Sequence, residues 1–144
     1  MKFEFSAGGI VFKKEKGEIL FLLSKHSQNK SWGFPKGLIG DSDKNESKEE
    51  TAIREVKEET GVEASIVKVL GTTVYWYQWD GERVKKNVTY YLMECLSYDF
   101  NKRDHEMEEV GWFEVDKVEE RLSFDVDKKL WRDILHEIKM ITGF

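Results

Sequence analysis

The sequence predicts an α+β domain in which helices pack on a mixed β-sheet. Three observations predict it. Apolar and alternating runs near the N-terminus read as strands, a charged run in the middle carries helix start and stop signals, and the last stretch has apolar residues at helical spacing. Strands, helix, strands and helix in that order fit a layered domain. A length of 144 residues suits one domain with one sizeable core, residues 1–144.

Lys2 to Lys13 alternates into Gly9-Ile10-Val11-Phe12 and reads as a strand. Gly8 and Gly9 within it imply either close approach of another backbone or a ligand, or a simple bulge. Glu15 to Glu18 forms a turn on Gly17, and Ile19 to Leu23 is a buried strand returning on the first. Lys25 to Gly40 is a polar loop interrupted by Trp32-Gly33-Phe34-Pro35-Lys36-Gly37. Trp32 and Phe34 are expected to pack the loop on the core, and His26 to lie at the surface. Lys36 is a candidate phosphate contact, as a compact point charge.

The middle run is the most informative. Ser47 followed by Glu50 fits a capping box, Lys48 to Thr60 lacks Gly and Pro, and Gly61 is a C-terminal stop. Ala52, Ile53 and Val56 supply an apolar side. Glu55 stands three residues before Glu58 and four before Glu59, so the three carboxylates share a face. Like charges so placed destabilise a bare helix. A hard divalent cation reverses that, because it takes carboxylate oxygens and bridges to phosphates. The plainer reading is a solvated acidic helix. Arg54 is within reach of Glu50 or Glu58.

Beyond the helix, Ala64 to Leu70 and Thr72 to Trp79 read as strands, and Asp80-Gly81 is a hairpin signal before the return strand Val84 to Leu96. Tyr75, Tyr77 and Trp79 share one face, and Tyr90 and Tyr91 point oppositely. Arg83, Lys85 and Lys86 follow the tip. Aromatics with cations suit nucleotide stacking and phosphate contact; they equally suit an ordinary sheet with protected edges. Asp99 to Glu109 is a polar loop whose Glu106, Glu108 and Glu109 are candidates for a further metal ligand or general base. Val110 to Val115 is a short strand and Asp116 to Leu122 a helical turn. Asp125 is expected to cap a last helix with Leu130, Ile134, Leu135, Ile138 and Ile141 at core spacing.

Composition limits the function classes. The net charge of −5 argues against general affinity for nucleic acid or an anionic membrane. Cys95 is the only cysteine, so no intrachain disulfide forms. No apolar run is long enough to span a bilayer and no signal peptide is visible, so a cytoplasmic protein is expected, as monomer or homodimer.

The stretch Gly40 to Val62 resembles the signature of the Nudix hydrolases: Gly, five residues, Glu, seven residues, then Arg-Glu-apolar-x-Glu-Glu-x-Gly-apolar. Gly40, Glu46, Arg54, Glu55, Val56, Glu58, Glu59, Gly61 and Val62 fill it. In many members the signature glycine belongs to Phe-Pro-Lys-Gly, which here is Phe34 to Gly37, three residues earlier. Either Gly40 is the equivalent, or the loop carries a three-residue insertion and Gly37 is; the insertion is the expected reading. The resemblance implies an α/β/α sandwich, a mixed β-sheet with the acidic signature helix and a C-terminal helix packed on it.

Within the family, Ser6 to Gly9, Phe34 to Gly37, Lys86 to Leu92 and His105-Glu106 ahead of Trp112 resemble the asymmetric dinucleoside tetraphosphate hydrolases. That resemblance implies Mg²⁺ (or Mn²⁺) held by Glu55, Glu58 and Glu59 with Glu106 and Gly37 contributing, and Glu55 or Glu106 as general base. Lys36 and Lys86 are expected to contact phosphate, and one of Tyr75, Tyr77 and Tyr90 to stack on a base. Gly40, Glu46, Arg54 and Gly61 are expected to hold the signature in shape. The implied partner is a small-molecule nucleotide, most simply diadenosine tetraphosphate cleaved to ATP and AMP. The alternatives are nucleoside triphosphates (oxidised ones included), ADP-ribose or RNA 5′ ends. A nucleotide sensor without turnover is the more distant alternative.

Overall fold

The computed structural model describes residues 1–40 and 43–144. Part of the stretch between Gly37 and Glu46, where the sequence suggests inserted residues, lies outside the described residues. Among the described residues seven strands form one mixed sheet: β1 (Lys2–Glu15), β2 (Glu18–His26), β3 (Trp32–Gly33), β4 (Lys36–Leu38), β5 (Val62–Trp79), β6 (Glu82–Tyr98) and β7 (Met107–Glu114). Three helices pack on it: α1 (Lys48–Thr60), α2 (Val115–Arg121) and α3 (Asp125–Thr142). The main order is β3-β2-β1-β6-β5, with β4 added to β1 and β7 to β2. β1 and β6 run parallel, from Lys2 opposite Val84 to Phe12 opposite Glu94, and the other pairings are antiparallel.

Period-two alternation sorts the core into two layers. Ile10, Phe12, Phe21, Leu23 and Tyr90 face Trp131, Ile134 and Ile138 of α3. Ala7, Val11, Leu22, Tyr91 and Met93 face Ala52 and Val56 of α1. Tyr90 and Tyr91 therefore point oppositely, as predicted, and the fold is an α/β/α sandwich. No helix among the described residues is long and apolar enough to cross a membrane.

Several local expectations change. The polar loop Lys25 to Gly40 contains β3, which turns back on the end of β2, and β4, which pairs with β1 far away in sequence. The two strands expected at Ala64–Leu70 and Thr72–Trp79 are one strand, β5, with register shifts between Ile66 and Lys68 and between Val69 and Gly71. Asp125 does not cap α3; Phe124 occupies the cap position and makes no side-chain cap bond. Ile141 stays 40% exposed, whereas Leu130, Ile134 and Ile138 are buried as predicted.

Gly8 and Gly9 mark a close backbone approach. Gly9 N donates to Pro35 O at 3.1 Å, and a Cβ on Gly8 would meet that oxygen at 2.3 Å. This contact seats the Phe34 to Gly37 segment over β1.

Candidate active site

Helix α1 begins with the expected capping box: Glu50 N donates to Ser47 Oγ and Ser47 N to Glu50 Oε1, both at 3.1 Å. It ends at Gly61, whose φ of 78° is left-handed and whose N–H bonds to Lys57 O. Burying Ala52 and Val56 fixes the rotation of the helix. That turns Glu55 and Glu59 inward, 7% and 8% exposed, and leaves Glu58 about half exposed.

Arg54 ties the signature together. Its Nε and Nη2 donate to the two Glu46 oxygens at 2.8 and 2.9 Å, and its Nη1 donates to Glu55 at 2.9 Å and Glu58 at 3.0 Å. Thr51 Oγ1 adds a bond to Glu46 at 2.7 Å. The Arg54 bonds and a contact with Gly40 hold the Glu46 carboxyl below its usual value, with Arg54 the larger cause. Glu50, the partner the spacing also allowed, is engaged in the capping box instead.

Gly37 and Gly40 do different things. A Cβ on Gly37 would lie 2.0 Å from Glu55 Cδ, so the missing side chain is the space the carboxylate occupies. Gly40 has φ +78° and supplies a turn with little steric demand around it.

Glu59, Glu106, Lys36 and Lys86 line one polar cavity of about 240 Å³. Burial pushes the Glu59 carboxyl well above its usual value; Lys36 opposes that, and Glu55 and Asp104 reinforce it. Burial, with Lys36 beside it, lowers the Lys86 ammonium. A second cavity of about 540 Å³ shares Lys36 and Lys86 and adds Tyr75, Trp76, Tyr77 and Phe124. The Lys36 ammonium sits 5.6 Å from the Tyr75 ring centre. Tyr77 donates its hydroxyl to Glu4, which pushes its pKa up to about 12.

The structure thus brings together Glu55, Glu59, Glu106, Gly37, Lys36, Lys86, Tyr75 and Tyr77. Tyr90 is left out: it is 0% exposed and packs edge-on against Phe34, so neither ring face is open to a base. Of the loop glutamates, Glu108 is paired with Lys25 and Lys30 and Glu109 with Lys25, while Glu106 alone of the three lines the cavity. Sequence reasoning missed Asp127, Asn29 and Phe124. Asp127 is fully buried, accepts from the Tyr75 hydroxyl, and lines the polar cavity. An aspartate in the first turn of a helix reads as a favourable end charge, which hid it.

The donor set suits a hard dication. Its oxygens are carboxylates, Glu59 is buried with its charge only partly opposed, and Gly37 leaves room beside Glu55. Among the described residues no three His, Cys, Asp or Glu side chains are already gathered as a ligand set. Arg54 holds Glu55 and Glu58 in the present arrangement.

The family model of the NUDIX domain matches residues 2–133. The chain is 36% identical over 133 residues to a Mycobacterium tuberculosis protein provisionally named mutator protein MutT4, covering 88% of this chain and 52% of that protein, about half its length. It is 30% identical over 122 residues to an RNA pyrophosphohydrolase of Hydrogenovibrio crunogenus, covering 75% of this chain and 71% of the relative. A crystal structure of a binary complex of the Caenorhabditis elegans Ap4A hydrolase superposes with a TM-score of 0.75 at 25% identity, covering 98% and 99% of the two chains. With the signature helix, its arginine clamp and the sandwich fold in place, the chain belongs to the Nudix hydrolase family.

Proposed function

We propose that the protein hydrolyses a phosphoanhydride bond of a nucleoside polyphosphate with a divalent cation, Mg²⁺ or Mn²⁺. One observation carries this reading: the cavity lined by Glu59 and Glu106 shares Lys36 and Lys86 with an aromatic cavity, so phosphates and a base have adjoining places. Nudix hydrolases generally use divalent metal ions. Bound here, the cation supplies charge neutralisation and a water of lowered pKa.

The chain's own residues divide the remaining work. Glu55, Glu58 and Glu59 are assigned as metal ligands, with Glu106 and the Gly37 backbone contributing from the facing loops. Lys36 and Lys86 bind the phosphate oxygens. Tyr75 or Tyr77 stacks on the base. Glu55 or Glu106 accepts the proton of the attacking water, as a carboxylate within reach of that oxygen can. Glu46, Arg54, Gly40 and Gly61 hold the helix and loop.

The finer reading is asymmetric cleavage of diadenosine tetraphosphate to ATP and AMP, supported by the end-to-end likeness to the nematode Ap4A hydrolase. The name of one sequence relative, an RNA pyrophosphohydrolase, favours a second reading, cleavage at an RNA 5′ end or of a nucleoside triphosphate like it. Chromatographic product analysis with Mg²⁺ separates them. ATP plus AMP from diadenosine tetraphosphate, with triphosphates and ADP-ribose largely untouched, is the expected result. Preferred release of pyrophosphate from a triphosphate moves the enzyme to the second reading. Nucleotide binding with no turnover of any compound would leave a sensor and overturn both.

A further inference from the structure

The sheet face that α1 covers continues past that helix. From Ala7, packed in the α1 layer, β1 runs on to Phe5 and Phe3 on the same face. Register across β1, β6 and β5 sets Phe5, Asn87 and Val74 in one row, Phe3, Lys85 and Trp76 in the next, and Gln78 opposite Arg83 beyond. No carboxylate stands in these rows, although the chain holds 28 acidic residues and a net charge of −5. Phe3, Phe5 and Trp76 are 53%, 56% and 48% exposed. Arg83 and Lys85 lie over Trp76, 4.3 and 5.6 Å from the ring centre.

This face adjoins the candidate site at Gly37. Ala7 pairs with Gly37, which nests the Glu55 carboxylate. Phe5 and Phe3 follow Ala7 at about 7 and 13 Å along the strand. Trp76, whose ring lies under Arg83 and Lys85, stands between Tyr75 and Tyr77, whose rings on the opposite face of the sheet line the aromatic cavity.

We propose that this outer face is a stacking platform for single-stranded RNA whose 5′ end enters the carboxylate site. Exposed rings bind unpaired bases, and cations track the backbone. Cations with no interspersed acids favour a polyanion over a protein surface of ordinary composition. Three rings spread over two strand rows fit successive bases of a strand, whereas the second nucleoside of a dinucleoside polyphosphate needs a single ring. Duplexes hide their base faces and are excluded from such a platform. The fate of the 5′ end rests on the second phosphoanhydride reading, cleavage at an RNA 5′ end; binding by the platform does not.

The test uses a fluorescent RNA octamer bearing a 5′-hydroxyl, which offers nothing to hydrolyse, followed by anisotropy. The octamer is expected to bind the wild type, more weakly as salt rises, and about tenfold or more weakly to the double variant Phe3→Ala/Phe5→Ala. Both phenylalanines are more than half exposed, so the variant is expected to fold, with circular dichroism as the check. On a 5′-triphosphorylated octamer the variant should show a raised KM, with hydrolysis of free nucleotides unchanged. The proposal is overturned if the hydroxyl octamer does not bind, or binds both proteins equally. It is also overturned if light scattering shows a dimer that the double variant dissolves, since a second copy would then cover this face. RNA binding that persists while no nucleotide or RNA end is hydrolysed would sink the phosphoanhydride reading and leave the platform standing.

Discussion

Arg54 makes four hydrogen bonds to three carboxylates, and each of those acids is restrained by the same planar fork. Glu46, whose side chain is 10% exposed, depends on it most. Removing the guanidinium leaves a nearly buried carboxylate without its main partner, so Arg54→Ala is expected to cost about 1–3 kcal/mol of stability. Arg54→Lys should rescue little, because an ammonium cannot reproduce the bidentate geometry. The pH dependence has a definite sign. The folded-state pKa of Glu46 is depressed below 4.5, so its stabilisation is complete above about that pH and is lost as pH falls through the depressed value. Thermal melts of wild type and Glu46→Gln should therefore converge below pH 4.5 and separate above it; parallel curves would refute the linkage. Glu58 differs from its neighbours in being half exposed, so Glu58→Gln should keep the fold while lowering kcat by about a hundredfold or more, the scale set by removing one charge-stabilising group. Wild-type activity and Mg²⁺ dependence in that variant would remove Glu58 from the metal site.

At the level of elements, the parts most legible in the sequence are those whose cause is local. The Ser47–Glu50 box, the left-handed Gly61 and the Asp80-Gly81 turn, with φ of 52° and 75°, all stand where residue type alone puts them. The strands β3 and β4 were hidden because each is two or three residues long, too short for an alternation to show, and β4 exists through pairing with the distant β1. The continuity of β5 was hidden by Gly71, which reads as a break but sits at a register shift within one strand. The site was legible along α1, where spacing alone places the acids. It was not legible across α3, since only folding brings Asp127 to Tyr75. The local signals carry predictable energies. Ser47→Ala removes one half of the capping box and should cost about 0.5–2 kcal/mol, read as a lowered Tm with activity per folded molecule retained. Gly61→Ala should cost more, because a Cβ there adds left-handed strain and would stand 2.0 Å from Asp99 O, in the loop that leads to Glu106. Equal Tm losses for the two variants would mean that this close contact relaxes freely.

The whole molecule places its chemistry between two helical layers. Glu59 reaches the polar cavity from the α1 side, and Asp127 reaches it from the α3 side, anchored to the sheet by the Tyr75 hydroxyl. Asp127 Oδ2 is buried and has no hydrogen-bond partner among the described residues. Burial raises its carboxyl above the usual 3.8, against the opposing influence of Tyr75 and Lys36. For an acid shifted this way the native state holds more protons than the unfolded chain between 3.8 and the raised value. Stability therefore falls as pH rises through that window, and the loss is complete above it. Asp127→Asn keeps an oxygen for Tyr75 and removes the buried charge. It should match the wild type near pH 4 or below and melt at a higher temperature near pH 8. The same variant measures why a destabilising acid lines the cavity. If Tm rises and KM for the hydrolysed nucleotide rises with it, kcat being little changed, the unpaired oxygen belongs to substrate recognition. A higher Tm with KM unchanged would make Asp127 an anchor between α3 and the sheet and nothing more. A Tm difference that is the same at pH 4 and pH 8 would show that the carboxyl ionises alike in the folded and unfolded chain, and would refute the raised value.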